Sequence, residues 1–94
     1  MKSPEYGDVP SGERISFQHL QFYLEQGREI EFVYKNREYF ISNTKEGRAL
    51  WMGDDRISEY FSNNSLAFAE SVTIQGTAIV DIFKQGRAAV STVF

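Results

Sequence analysis

The chain has a single histidine, His19. An imidazole works as a general acid, a base or a relay only beside an oriented nucleophile or carboxylate. Nothing close to His19 in sequence supplies one, so it reads as a surface or interface residue of a helix. Asp54 and Asp55 are the one adjacent pair of aspartates. A calcium-type loop would need further oxygen ligands at alternating positions, as in D-x-D-x-D-G. Those ligands are missing, and Asp following Gly53 is ordinary turn chemistry. Glu29, Glu31, Glu38 and Glu59 offer material for a glycosidase-like carboxylate pair. However, Glu31 and Glu38 alternate with apolar residues beside Lys35, the pattern of charges facing water. The seven glycines form neither G-x-G-x-x-G nor G-x-x-x-x-G-K-[ST], and G-x-S-x-G is absent too. The lack of cysteine removes disulfides, thiolate zinc sites and thiol nucleophiles. The expectation is a protein that is not an enzyme and uses no metal and no cofactor.

The elements that would carry any site are legible in part. Ser16 is placed to cap a helix over 16–26, with Ile15 and Leu20 at the spacing of a hydrophobic staple. Phe17, Leu20 and Leu24 form one apolar stripe, and Gly27 can end the helix in a left-handed conformation. Residues 29–43 then read as a β-hairpin. With Asn36 and Arg37 as the turn, Phe32 faces Ile41, Val33 faces Phe40 and Tyr34 faces Tyr39. One face gathers Ile30, Phe32, Tyr34, Tyr39 and Ile41, and the other gathers Glu31, Val33, Lys35, Glu38, Phe40 and Ser42. Moving the turn by one residue is expected to scramble that separation. A third strand follows over 48–52, with Leu50 and Met52 on one side and Ala49 and Trp51 on the other. A fourth is expected over 57–62, with a helix over 56–70 as the competing reading. Asn63-Asn64 reads as a turn or cap. A short helix over 65–70 carries Leu66 and Ala69 inward, and Thr77 caps a last helix bearing Ile79, Ile82 and Phe83. The tail 87–94 is apolar and fits either a strand or an extended arm.

The expected fold class is therefore α+β: an N-terminal helix, a four-stranded antiparallel meander and two short C-terminal helices. Residues 1–12, with Pro4, Gly7, Pro10 and Gly12, read as a flexible arm, and 13–94 as a single domain. At 94 residues and 10.8 kDa the chain has room for one modest core. Its net charge of −3 and pI near 5.1 argue against the basic field of a nucleic-acid binder. No segment approaches the ~20 apolar residues of a membrane helix, and 1–12 lacks the apolar core of a signal peptide. A cytoplasmic location with no membrane partner is expected.

The block from Leu24 to Asn43, through Gly27, Ile30, Glu31, Phe32, Tyr34, Asn36 and Tyr39, resembles small uncharacterised proteins of Gram-positive bacteria and their mobile elements. These carry an I-E-F-x-Y-x-N-G-x-x-Y-like hairpin ahead of aromatic strands and a short helical end. Arg37 stands where the turn glycine of that pattern falls. The resemblance implies the fold and carries no activity with it.

What composition leaves over is aromatic bulk: eight Phe, five Tyr and one Trp. If one sheet face fills the core, Val33, Phe40 and Trp51 face away from it, rimmed by Glu31, Lys35 and Glu38. Aromatic anchors inside a charged rim have the anatomy of an interaction surface. The expected function is a non-enzymatic protein-interaction module whose partner is another protein or a second copy in a homodimer. The alternative is a small-ligand or nucleic-acid-associated domain that stacks a planar group on Tyr39, Trp51 and Tyr60.

Overall fold

The computed structural model describes residues 12–62 and 64–94. The expected arm, apart from Gly12, and Asn63 lie outside the described residues. Strand β1 (Glu13–Arg14) leads into helix α1 (Phe17–Glu25). Ser16 caps that helix, its Oγ accepting the His19 N–H at 3.0 Å. Ile15 and Leu20 are both buried in the core, as a staple requires. The helix closes through Gly27 at φ 81, where the Gly27 N–H donates to the Leu24 carbonyl and the Arg28 N–H to that of Tyr23. This is the paired closure of a Schellman motif, and it depends on a residue that tolerates positive φ.

Four strands follow: β2 (Ile30–Tyr34), β3 (Arg37–Thr44), β4 (Gly47–Met52) and β5 (Asp55–Arg56). The β2–β3 turn is Lys35-Asn36, both at positive φ, and not Asn36-Arg37. Either placement forces one residue besides Asn36 into the left-handed region. Here Lys35 takes it, and its ammonium reaches Gln75 Oε1 at 3.4 Å. Phe32 consequently opposes Tyr39 and Ile30 opposes Ile41. Shifting a two-residue turn by one position shifts the pairing by two. With a side-chain period of two, every residue keeps its face, so the expected scrambling does not occur. Phe32 and Ile41 are both fully buried, on the face the alternation gave them.

Beyond β5 the expected strand 57–62 breaks up. Ile57 N–H still donates to the Leu50 carbonyl, and Phe61 pairs with Arg48 through bonds of 2.7 and 2.8 Å. Over that stretch β4 advances two residues and the facing chain four, so the chain between them bows out. The Leu50 N–H is taken by Ser58 Oγ at 2.8 Å, a side chain competing with the ladder. The competing helix over 56–70 forms only in its last part, as α2 (Ser65–Ser71), capped by Asn64 Oδ1 on the Ala67 N–H. Phe68 and Ala69 point inward, whereas Leu66 is 40% exposed, against the sequence expectation. A small hairpin, β6 (Thr73–Ile74) with β7 (Thr77–Ala78), precedes α3 (Ile79–Lys84). Thr77 is spent in that hairpin, and α3 follows Ala78 as its N-cap, without a side-chain cap.

The tail is a strand, β8 (Ala89–Val93), and it is not peripheral. It inserts between β1 and β2, giving a six-stranded sheet in the order β1-β8-β2-β3-β4-β5. The fold is therefore α+β with an antiparallel sheet, but six strands replace the expected four-stranded meander. The three helices contact one another. Their side chains form one buried cluster with Ile30, Phe32, Tyr39, Ile41, Leu50 and Val90 from the sheet. Phe83 of α3 meets Phe32 edge to face at 5.3 Å between centroids. The sheet thus has a covered face and an outer one.

Candidate interaction surface

Register fixes what stands on the outer face. Across the sheet a row runs Thr92, Glu31, Phe40, Trp51, Arg56. Arg14, Ala89, Val33 and Glu38 form a second row, and Ser42 with Ala49 a third. Val33, Phe40, Trp51 and Glu31 are half-buried, and Glu38 is exposed. Trp51 lies down on its own sheet, its indole N–H donating to Ser42 Oγ at 2.9 Å. That contact leaves Ser42 and Ala49 buried on an otherwise open face.

Lys35 is not part of this rim. The positive φ of the turn swings its side chain toward Gln75, with the ammonium 5.4 Å from the centroid of the Tyr34 ring. Arg37 likewise turns away, its Nη1 donating to Met52 Sδ at 3.8 Å. Glu31 and Glu38 have no ion pair among the described residues.

The sequence reading missed Phe94. A bulge in the β2–β8 pairing sets Val90 opposite Phe32 but Thr92 opposite Glu31, leaving Ser91 as the extra residue. With unbroken alternation Phe94 would share the core side with Val90. The bulge inverts that, so Val93 packs against the core and the Phe94 ring meets Phe40 edge to face at 6.0 Å. Phe94 is held by backbone as well: its N–H donates to the Glu29 carbonyl and its carbonyl accepts from Arg28 Nε at 2.9 Å. Its side chain nevertheless stays 58% exposed. A cleft of about 330 Å³ opens here, lined by Glu31, Glu38, Phe40, Gly53, Ser91 and Phe94.

A second cleft, of about 460 Å³, lies at the C-terminal end of α1. One of its walls is the buried Arg48, whose Nη2 donates to the Leu24 carbonyl at 2.8 Å and Nη1 to that of Arg28 at 3.3 Å. Loss of water lowers the Arg48 guanidinium from its usual pKa, and the Glu29 carboxylate pulls the other way. A cation bonded to the closing carbonyls of a helix complements its dipole. Glu29 itself accepts the Asn43 N–H at 2.9 Å, and the Asn43 amide donates to the Gly27 carbonyl at 3.0 Å. Together these bonds tie the end of α1 to β3 and β4.

The remaining candidates are not brought together. His19 is half-buried on α1 and its ring meets that of Tyr23 at a tilt, centroids 4.7 Å apart. Asp54 belongs to the turn joining β4 and β5. Among the described residues no group of three or more His, Asp or Glu side chains is placed to hold a metal ion, and no helix is long and apolar enough to cross a membrane. Tyr39 is buried, stacked on Phe32 at 5.5 Å. Tyr60 sits in the irregular segment with the Arg56 guanidinium 4.4 Å from its ring centroid. Tyr39, Trp51 and Tyr60 therefore do not share a stacking platform. No protein-family model, curated protein sequence or solved structure matches the chain.

Proposed function

We propose that the chain is a non-enzymatic, cytoplasmic protein-interaction module that receives another protein on the outer face of its sheet. One observation carries this reading. Phe40, Trp51 and Phe94 form an aromatic patch on the face opposite the helices, and its end residue is more than half exposed. Burying such a ring contributes little to folding where it stands, and aromatic patches with a polar rim are the usual anchors of interfaces. The strands at both edges are only two residues long, so the sheet offers a partner its face in preference to an edge.

A second copy is the less favoured occupant. The carboxylates Glu31 and Glu38 stand on the two central strands. A copy docked about a centred two-fold axis lays them over its own Phe40 and Val33, or over its own carboxylates. Either arrangement buries charge with no cation opposite.

The test is capture from host lysate on the wild-type chain and on a Phe40→Ser/Phe94→Ser chain in parallel. Hydrogen exchange is then measured on the reconstituted pair. Protection over 31–33, 38–42 and 49–52, with loss of the partner on the double variant, is expected. A partner retained equally by both chains, or protection confined to the helices, refutes the reading.

A further inference from the structure

We propose that the partner enters this face through an arginine or lysine side chain seated between Glu31 and Glu38, with its stem laid on Phe40 and Phe94; the proposal rests on the reading of the outer face as a docking surface. The cleft of about 330 Å³ has the two carboxylates and the two rings in its lining. Glu31 pairs directly with Phe40, and Glu38 stands two residues before Phe40 on the same strand. The carboxylate-bearing positions are thus diagonal neighbours, about 7–8 Å apart at the backbone. A guanidinium or ammonium set between them meets both charges without forcing them together. The Phe40–Phe94 pair, edge to face at 6.0 Å, supplies an apolar wall and ring faces for the cation.

Among the described residues no cation lines this cleft. Lys35 and Arg37 are drawn to Gln75 and Met52. Arg28 donates to the Phe94 carbonyl, and Arg48 is buried against α1. Arg14 and Arg56 share the outer face, but Arg14 stands on β1, beyond β8 from Glu31, and Arg56 stands three strands from Glu31 across Phe40 and Trp51, where its guanidinium donates to the Ser58 carbonyl at 2.6 Å. Among the described residues the charge lining the cleft is therefore one-signed, and a cation brought by a partner complements it. A phosphate-bearing partner meets like charge there, and an uncharged apolar partner leaves a half-buried Glu31 desolvated without compensation.

The test is selection of a displayed library of random short peptides on the full-length protein, followed by binding of the best peptide to Glu31→Gln/Glu38→Gln, Phe40→Ser and Phe94→Ser chains at low and high salt. Thermal melts confirm that each variant folds, and Phe94→Ser, at an exposed position, serves if Phe40→Ser does not. The expected peptides carry Arg or Lys beside an apolar residue. Their binding weakens with salt and falls at least about tenfold on the double Gln variant, the loss appropriate to charge-assisted contacts. Peptides that need Phe40 or Phe94 yet show no basic preference and ignore the Gln changes overturn the cation site and leave the docking face standing. No enrichment, or binding indifferent to all four positions, overturns both. Sedimentation of the peptide-free chain completes the set: a dimer dissociated by Phe94→Ser gives the face to a second copy and also overturns the proposal.

Discussion

Replacing Arg48 by Met tests how α1 is held to the sheet. Arg48 is 7% exposed, and its guanidinium donates at 2.8 Å to the Leu24 carbonyl and at 3.3 Å to that of Arg28. A bond to a charged group is worth about 1.5–3 kcal/mol net, and the first bond has the better geometry. Its loss is cushioned, because the Leu24 carbonyl keeps the Gly27 N–H at 3.0 Å. Met also fills much of the volume of the stem and relieves the desolvation of the charge. The expected cost is about 1.5–3 kcal/mol. A domain of this size has roughly 5–14 kcal/mol in total, and the melting temperature should fall by about 6–24 °C. Urea and thermal melts followed by circular dichroism measure it. Arg48→Lys keeps the charge but cannot fork to two carbonyls, so it should fall between wild type and Met. A Met variant within about 0.5 kcal/mol of wild type, the range of ordinary surface changes, refutes the argument. Lys as costly as Met would give the credit to the packed stem. Burial depresses the folded pKa of this base, so alkali raises stability only through a window well above neutrality. The Arg–Met difference should therefore be flat across neutral pH.

Gly47→Ala should cost at least about 2 kcal/mol, because φ is 121 and an added Cβ would stand 2.5 Å from the Phe61 carbonyl oxygen. Gly53→Ala, at φ 61 with open space around it, should cost only about 1–2 kcal/mol, and comparing the two melts separates collision from backbone strain. Ser16→Ala should destabilise by about 0.5–2 kcal/mol through loss of the bond to the His19 N–H; an unchanged melt refutes the cap. Truncation after Gly86 removes β8 from between β1 and β2, so it should abolish cooperative unfolding, measured by near-ultraviolet dichroism and urea melts, where a merely overlying tail would leave a weakened but cooperative transition.

The parts of the fold legible in the sequence are those fixed by local chemistry. Ser16, Gly27 and the Phe17/Leu20/Leu24 stripe mark α1 to within a residue at each end, since caps and termini are decided by neighbours. The two faces of the β2–β3 hairpin were legible for the same reason, although its register was not: alternation is blind to a shift of two. The strands that were missed, β1 and β5, or left open between strand and arm, β8, were decided elsewhere in the chain. β1 and β5, at two residues each, are too short to carry a pattern. β8 depends on partners some sixty residues away, and its bulge breaks the alternation that would have revealed it. Residues 57–62 alternate well and still fail as a strand, because Ser58 takes the donor that a ladder needs.

The same division explains the candidate surface. Val33, Phe40 and Trp51 were placed correctly because a face follows from parity alone. Lys35 was assigned to the rim by parity too, but a turn residue at positive φ no longer obeys it. Moving Lys35 off the rim changes the chemistry of the site. With that lysine the rim would be half neutralised; without it Glu31 and Glu38 stand without an ion pair among the described residues. Phe94 adds the second ring, and it reaches the face only through the bulge at Ser91. Two departures from regular alternation, one at a turn and one at a bulge, thus turn a mixed apolar face into a cleft that is aromatic and acidic. Both are backbone events, and neither residue would mark a binding site by type alone. Removing the extra residue is therefore a direct check on this register: with Ser91 deleted, Val90, Thr92 and Val93 keep their partners Phe32, Glu31 and Ile30, so Phe94 should stay on the outer face of a regular ladder. If the cleft is the docking site, that deletion should leave a basic peptide bound, whereas Phe94→Ser should weaken its binding while both carboxylates remain in place.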